Sequence, residues 1–225
     1  SHRAHQLQVP VDADGYMPRI IPTADANRVL VMTLNRHQDI LRVYGVNPSS
    51  TMAQLIVEEN SKGYVRFETV EDFTLNSQSL MFTSDRDGYS HLYIYNLNGQ
   101  QTRKVGDGQY DITQVYGYDE LTGDVYYQAA ALNAQDRQVY VAHKNGKTDR
   151  LTDSEGWNSA VFSSDLKYFI NTWSDMNTPY KVTIRDNRGK TLSTVIDNKA
   201  VADNLAANGW NRRESFAFTT SEGVA

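Results

Sequence analysis

The sequence predicts an all-β chain, a partial β-propeller of about four blades, each a four-stranded antiparallel sheet, and three observations predict it. One hairpin motif recurs along the 225 residues with steps of 51, 47 and 43 between equivalent positions. Tyrosine is abundant, with 14 residues, and together with Val and Thr it favours a pleated, half-buried surface. Helical periodicity is confined to one short stretch near the end.

The repeated motif begins at Leu41-Arg-Val-Tyr and returns at Leu92-Tyr-Ile-Tyr, Val139-Tyr-Val-Ala and Val182-Thr-Ile-Arg. Each alternates apolar and polar positions and runs to a turn residue: Pro48, Gly99, Gly146 and Gly189. Asn98-Gly99 and Asn145-Gly146 predict tight hairpins in which both central residues take positive φ. A further strand is expected after each glycine, at Thr102–Val105, Thr148–Thr152 and Leu192–Ile196. Upstream of the hairpins, 73–82 and 162–171 share a strand-turn-strand pattern, which 22–31 and 118–127 follow more loosely. Each unit thus supplies about four strands. A lone four-stranded sheet cannot bury both faces, so such units stack as blades. An immunoglobulin-like sandwich also has short strands and regular turns, but it gives no reason for the same hairpin to return at this period.

The partial propeller is assigned to 9–209. Residues 198–206 read as its one helix, with Ala200, Val201 and Leu205 on one face and a stop at Asn208-Gly209. Residues 210–225 read as the start of a strand or linker, and 1–8 as a tag remnant or leader beginning Ser1-His2.

Composition narrows the function. A formal charge of −5 with scattered Lys and Arg forms no basic stripe, which argues against nucleic acid as a partner. No apolar run approaches the roughly 20 residues of a membrane span. Cysteine is absent, which removes disulfides and thiolate metal sites. A nucleophile elbow needs Gly-x-Ser-x-Gly; Gly88-Tyr89-Ser90-His91-Leu92 comes closest, with Leu92 in place of the second glycine. Ser90 and His91 therefore read as turn and strand-start residues. His2, His5, His37, His91 and His143 show no close metal spacing, and Asp85-Arg86-Asp87-Gly88 lacks the ligands that would complete a calcium loop. No phosphate-cradling glycine loop occurs. Catalytic, cofactor and metal sites are all expected to be absent from this chain.

Several stretches resemble a known family. Phe82-Thr-Ser-Asp-Arg-Asp-Gly-Tyr-Ser-His-Leu-Tyr-Ile-Tyr95 is similar to the blade signature of dipeptidyl peptidase IV propellers. Tyr16-Met-Pro-Arg-Ile20, Leu34-Asn-Arg-His-Gln38 and Gly63-Tyr-Val-Arg-Phe67 follow in the order used by that family, and Phe216–Gly223 resembles its passage into an α/β-hydrolase domain. The resemblance implies the second half of an eight-bladed N-terminal propeller, from a serine peptidase of the prolyl oligopeptidase clan. Such an enzyme releases N-terminal dipeptides with Pro or Ala second, with its triad in the later hydrolase domain and its paired ammonium-binding glutamates in an earlier blade. The propeller would gate access of peptide N-termini and dock the hydrolase domain. The resemblance also implies substrate contacts for Arg66 and Phe67, preceded by Tyr64; the plain alternative is Phe67 in the core and Arg66 as a surface charge. Glu58-Glu59 mimics the paired glutamates but reads as a solvated strand end.

A rival of another class is a free-standing propeller that binds protein or glycan partners. The ending in a hydrolase-entry sequence favours the peptidase reading. Uncovered blade faces predict a homo-oligomer, and resemblance to bacterial relatives predicts a periplasmic or secreted location.

Overall fold

The computed structural model describes residues 4–153 and 155–223; Ser1 and His2 lie outside them. The chain divides into two compact units, residues up to Val115 and residues from Tyr116. In the first, β1 (Ile20–Pro22), β2 (Val29–Leu34), β3 (Ile40–Val46) and β4 (Ala53–Asn60) form one sheet in sequence order. A short helix, α1 (Phe67–Glu71), leads to a second sheet of β5 (Thr74–Leu75), β6 (Ser79–Ser84), β7 (His91–Asn96) and β8 (Gln101–Val105). The strand β9 (Ile112–Asp119) runs over the division and joins β10 (Asp124–Ala129), β11 (Gln138–Ala142) and β12 (Thr148–Arg150) in a third sheet. The fourth sheet is β13 (Trp157–Phe162), β14 (Tyr168–Ser174), β15 (Lys181–Asp186) and β16 (Thr191–Ile196), followed by α2 (Lys199–Ala207). Every sheet is a meander of neighbours in sequence, as the repeat predicts.

Each unit buries a core of its own. In the first, Leu30, Met32, Leu41 and Val43 of β2 and β3 cluster with Phe73, Leu80, Phe82, Tyr93 and Tyr95 from the second sheet. Phe82 stacks on Phe73 at 5.9 Å and on Tyr95 at 5.7 Å. In the second, Tyr126, Val139, Val141 and Leu151 meet Ala160 and Phe169, with Phe162 stacked on Phe169 at 4.8 Å. Large apolar side chains each contribute about 1.5–3 kcal/mol when fully buried, so these faces hold the sheets together.

The turns differ from the predicted type. Gly99 and Gly146 have φ of 88° and 89°, but Asn98 and Asn145 do not share the positive φ. The Gly99 N–H donates to Asn96 O at 3.1 Å and the Asn96 N–H to Gln100 O at 2.9 Å, and the same pair of bonds closes His143–Lys147 and Asp186–Lys190. Only the last turn residue is left-handed, as in turns that end in a glycine bulge. Side chains assist: Asn96 Oδ1 accepts from the Asn98 and Gln100 amides, and Asp186 Oδ1 from those of Arg188 and Lys190.

The helix forms as α2, with Ala202 and Leu205 half-buried and Ala200 and Val201 exposed. Of the two readings of 210–225, strand or linker, no strand forms among the described residues: 210–220 carries no regular structure, and a turn follows. A strand without a neighbour leaves its N–H and C=O groups unpaired, so sequence pattern alone does not create one. This segment is instead tied at Arg213, whose N–H donates to Asn177 Oδ1 at 2.7 Å.

Candidate functional site

The three residues to which the resemblance gave a substrate role lie after β4: Tyr64 and Arg66 in the connecting segment and Phe67 as the first residue of α1. The segment's backbone is pinned to the β2–β3 turn: the Ser61 N–H donates to Asp39 O and the Val65 N–H to Gln38 O, both at 2.8 Å. Its far end is pinned through α1. The buried Thr69 hydroxyl donates to Thr83 O at 2.8 Å, and Arg19 Nη1 donates to the carbonyls of Val70 and Glu71 at 2.7 and 3.0 Å.

Between these anchors the side chains point to solvent. Tyr64 is 74% and Phe67 72% exposed, so Phe67 is not a core residue. Arg66 is half-exposed and has Glu68 Oε2 3.5 Å from its Nε. A surface cleft of about 350 Å³ adjoins the segment, lined by Ser61, Lys62, Tyr64, Asp85 and Arg86 among others. The anchored segment thus exposes two aromatic rings and a cation. They supply no nucleophile and no general base.

Behind the segment is a polar network that the sequence reading missed. Glu58 is solvated and pairs with Arg42 at 2.7 Å, but Glu59 is buried, at 4% exposure, which corrects the reading of both as a solvated strand end. Glu59 Oε1 accepts from Ser84 Oγ at 2.5 Å, and Oε2 accepts from Arg86 Nη2. Arg86 Nη1 donates to the Tyr95 hydroxyl at 2.8 Å, and the guanidinium lies 4.2 Å from the centroid of the Tyr93 ring. A signal for this was present. Glu59 follows Val57 by two, so strand alternation puts it on the buried face, opposite Leu41.

The remaining chemical candidates are structural. The Ser90 N–H donates to Asp111 Oδ1 at 2.7 Å, and Ser90 itself is buried. His91 Nδ1 lies 3.1 Å from both Asp87 oxygens and Nε2 3.1 Å from Gly108 O. The ring therefore bridges the Asp87 carboxylate and the Gly108 carbonyl. Burial pushes the Asp87 carboxyl up, but hydrogen bonds from Lys104, His91 and Tyr93 outweigh it and hold the group well below the usual carboxylate range. Among the described residues no three His, Asp or Glu side chains are placed to hold a metal.

Comparison with known proteins follows the same lines. The family model for the dipeptidyl peptidase IV N-terminal region matches residues 1–180. A dipeptidyl peptidase 4 of Porphyromonas gingivalis, solved by crystallography, superposes with a TM-score of 0.89 at 35% identity, over 96% of this chain and 31% of its own. Curated relatives include proteins named "Probable dipeptidyl peptidase 4" from Aspergillus flavus, 24% identical over 88% of this chain, and Aspergillus clavatus, 27% identical over 81%. The chain spans 28% and 25% of those two proteins. With the four meanders, the superposition makes the fold a partial β-propeller of four four-stranded blades.

Proposed function

The chain belongs to the dipeptidyl peptidase IV N-terminal region family, and from that premise we propose that it is the non-catalytic propeller segment of a serine exopeptidase that releases N-terminal X-Pro and X-Ala dipeptides. The superposition on the Porphyromonas gingivalis enzyme carries this reading. The hydrolysis belongs to an α/β-hydrolase domain, where a serine attacks the scissile carbonyl and hydrogen-bond donors stabilise the oxyanion. The propeller's share is to restrict entry to free peptide ends and to dock that domain. Tyr64, Arg66 and Phe67 contribute to the substrate rim; their exposure on an anchored loop supports this assignment. The enzyme works as a homo-oligomer in the periplasm or outside the cell.

The test is turnover of Gly-Pro and Ala-Pro chromogenic substrates. The full-length protein is expected to cleave both and to leave a blocked N-terminus intact, whereas the 225-residue chain alone cleaves neither. Turnover by the repurified chain alone, or none by the full-length protein, refutes the proposal.

A further inference from the structure

The end of β6 and the turn after it hold both flanks of the segment that carries Tyr64, Arg66 and Phe67. On the near flank, Ser84 Oγ and Arg86 Nη2 bind the two oxygens of Glu59, immediately before the segment. On the far flank, Thr83 O accepts from the Thr69 hydroxyl. Residues 59 and 69 are thus fixed to three positions within one four-residue stretch, 83–86. Arg86 itself has little freedom. Its Nε donates to Ser84 Oγ at 3.2 Å, its Nη1 to Tyr95, and its Cζ lies over the Tyr93 ring, 4.2 Å from the centroid. The planar guanidinium is suited to such a post because its donors leave in fixed directions, which an ammonium cannot reproduce. Arg86 also lines the cleft beside Tyr64.

We infer that Arg86 is a positioning residue for the substrate rim: through the buried Glu59 carboxylate it sets where the 60–67 segment presents Tyr64, Arg66 and Phe67. The inference rests on the reading of those three residues as substrate contacts, but the tether itself does not. Losing one partner leaves an uncompensated buried charge and threatens the fold, whereas removing both charges together is often tolerated. The discriminating variant is therefore the double substitution Glu59→Gln/Arg86→Met, with Arg86→Lys as the conservative comparison.

Amide hydrogen exchange on the full-length protein reads the tether directly. In the double variant, exchange across 60–66 is expected to quicken about tenfold, reported best by the Ser61 and Val65 amides, while the β6 and β7 ladders keep their protection. Arg86→Lys is expected to fall between it and the parent. Unchanged exchange at 60–66, or a rise shared equally by 79–84 and 91–96, overturns the inference. The second measurement separates the two readings: a loosened segment is expected to raise KM for Gly-Pro substrates several-fold with kcat nearly kept. Loosening with KM unmoved leaves the tether standing and refutes the substrate role of Tyr64, Arg66 and Phe67.

Discussion

Gly189 and Leu151 meet backbone to backbone: a Cβ placed on Gly189 lies 2.5 Å from the Leu151 carbonyl oxygen. Gly189 turns the β15–β16 hairpin, and Leu151 follows β12 of the preceding sheet. The same relationship holds in the first unit, where a Cβ on Gly99 lies 2.6 Å from the Ile56 carbonyl oxygen. In each unit the hairpin turn of the later sheet therefore seats on the last strand, or just past the last strand, of the earlier one. Leu151 O also accepts from Arg185 Nη1 at 3.1 Å, so the contact joins a polar tie between sheets.

Gly189→Ala and Gly99→Ala should thus each cost more than the left-handed conformation alone. Positive φ costs a non-glycine residue about 1 kcal/mol, and displacing a packed backbone raises the total to about 2–4 kcal/mol. Gly146→Ala is the control, because it has positive φ but open space around its Cβ. Urea unfolding that ranks all three alike would show that the seating contact contributes nothing.

Much of this was legible in the sequence, and the reasons are local. The hairpin period marks the strands because β-branched and aromatic residues alternate there, and the four-sheet count follows from it. The role of Gly99 was half legible: its positive φ was signalled by Asn-Gly, but its close approach to Ile56, 43 positions earlier, depends on how the sheets pack. Glu59 was misread for a related reason. Charge suggested solvent, strand alternation suggested burial, and a partner 27 positions away decided between them. Phe67 shows the reverse case: of its two readings, substrate contact and core, the core one fails, because the α1 start leaves it exposed while Thr69 and Val70 are buried.

Phe67→Ala should leave stability within about 0.5 kcal/mol, as for other exposed positions. If the ring contacts substrate, KM for dipeptide substrates rises about tenfold in the full-length protein with kcat little changed. Arg66→Ala should act in the same direction. Steady-state kinetics alongside thermal melts separates this from a folding defect.

Stability should decline in acid through Asp87. Its folded-state carboxyl is held below the unfolded value, so the unfolded chain binds more protons and stability rises with pH across that interval. The contribution is fully present above the unfolded pKa of about 3.9 and is lost as the pH drops below it. Asp87→Asn is expected to be less stable than the parent at pH 7, with a shallower decline between about pH 4 and 2. Parallel acid-decline slopes for parent and variant in urea titrations would assign the acid sensitivity elsewhere.

Tyr116 contributes to the alkaline side in the second unit, alongside Tyr126, whose phenol burial also raises. Its ring is packed against Phe162 at 5.5 Å, and its hydroxyl oxygen accepts from the Ala160 N–H at 3.0 Å. Burial pushes the phenol up to about 12, partly opposed by that backbone hydrogen bond. Because the folded value is raised, the stabilisation is complete below the unfolded value of about 10 and disappears as pH rises through 12. The Tyr116→Phe variant keeps the ring but leaves the Ala160 N–H without its acceptor, a loss of about 1–3 kcal/mol. It should therefore be less stable than the parent at pH 8 and lose less on going to pH 11.5. Tyrosinate absorbance gives an independent reading: Tyr44, Tyr93 and Tyr126 are also held above the ordinary phenol value, so the variant should show one fewer late-ionising phenol than the parent. An equal alkaline decline in both proteins would show that Tyr116 is not the group responsible.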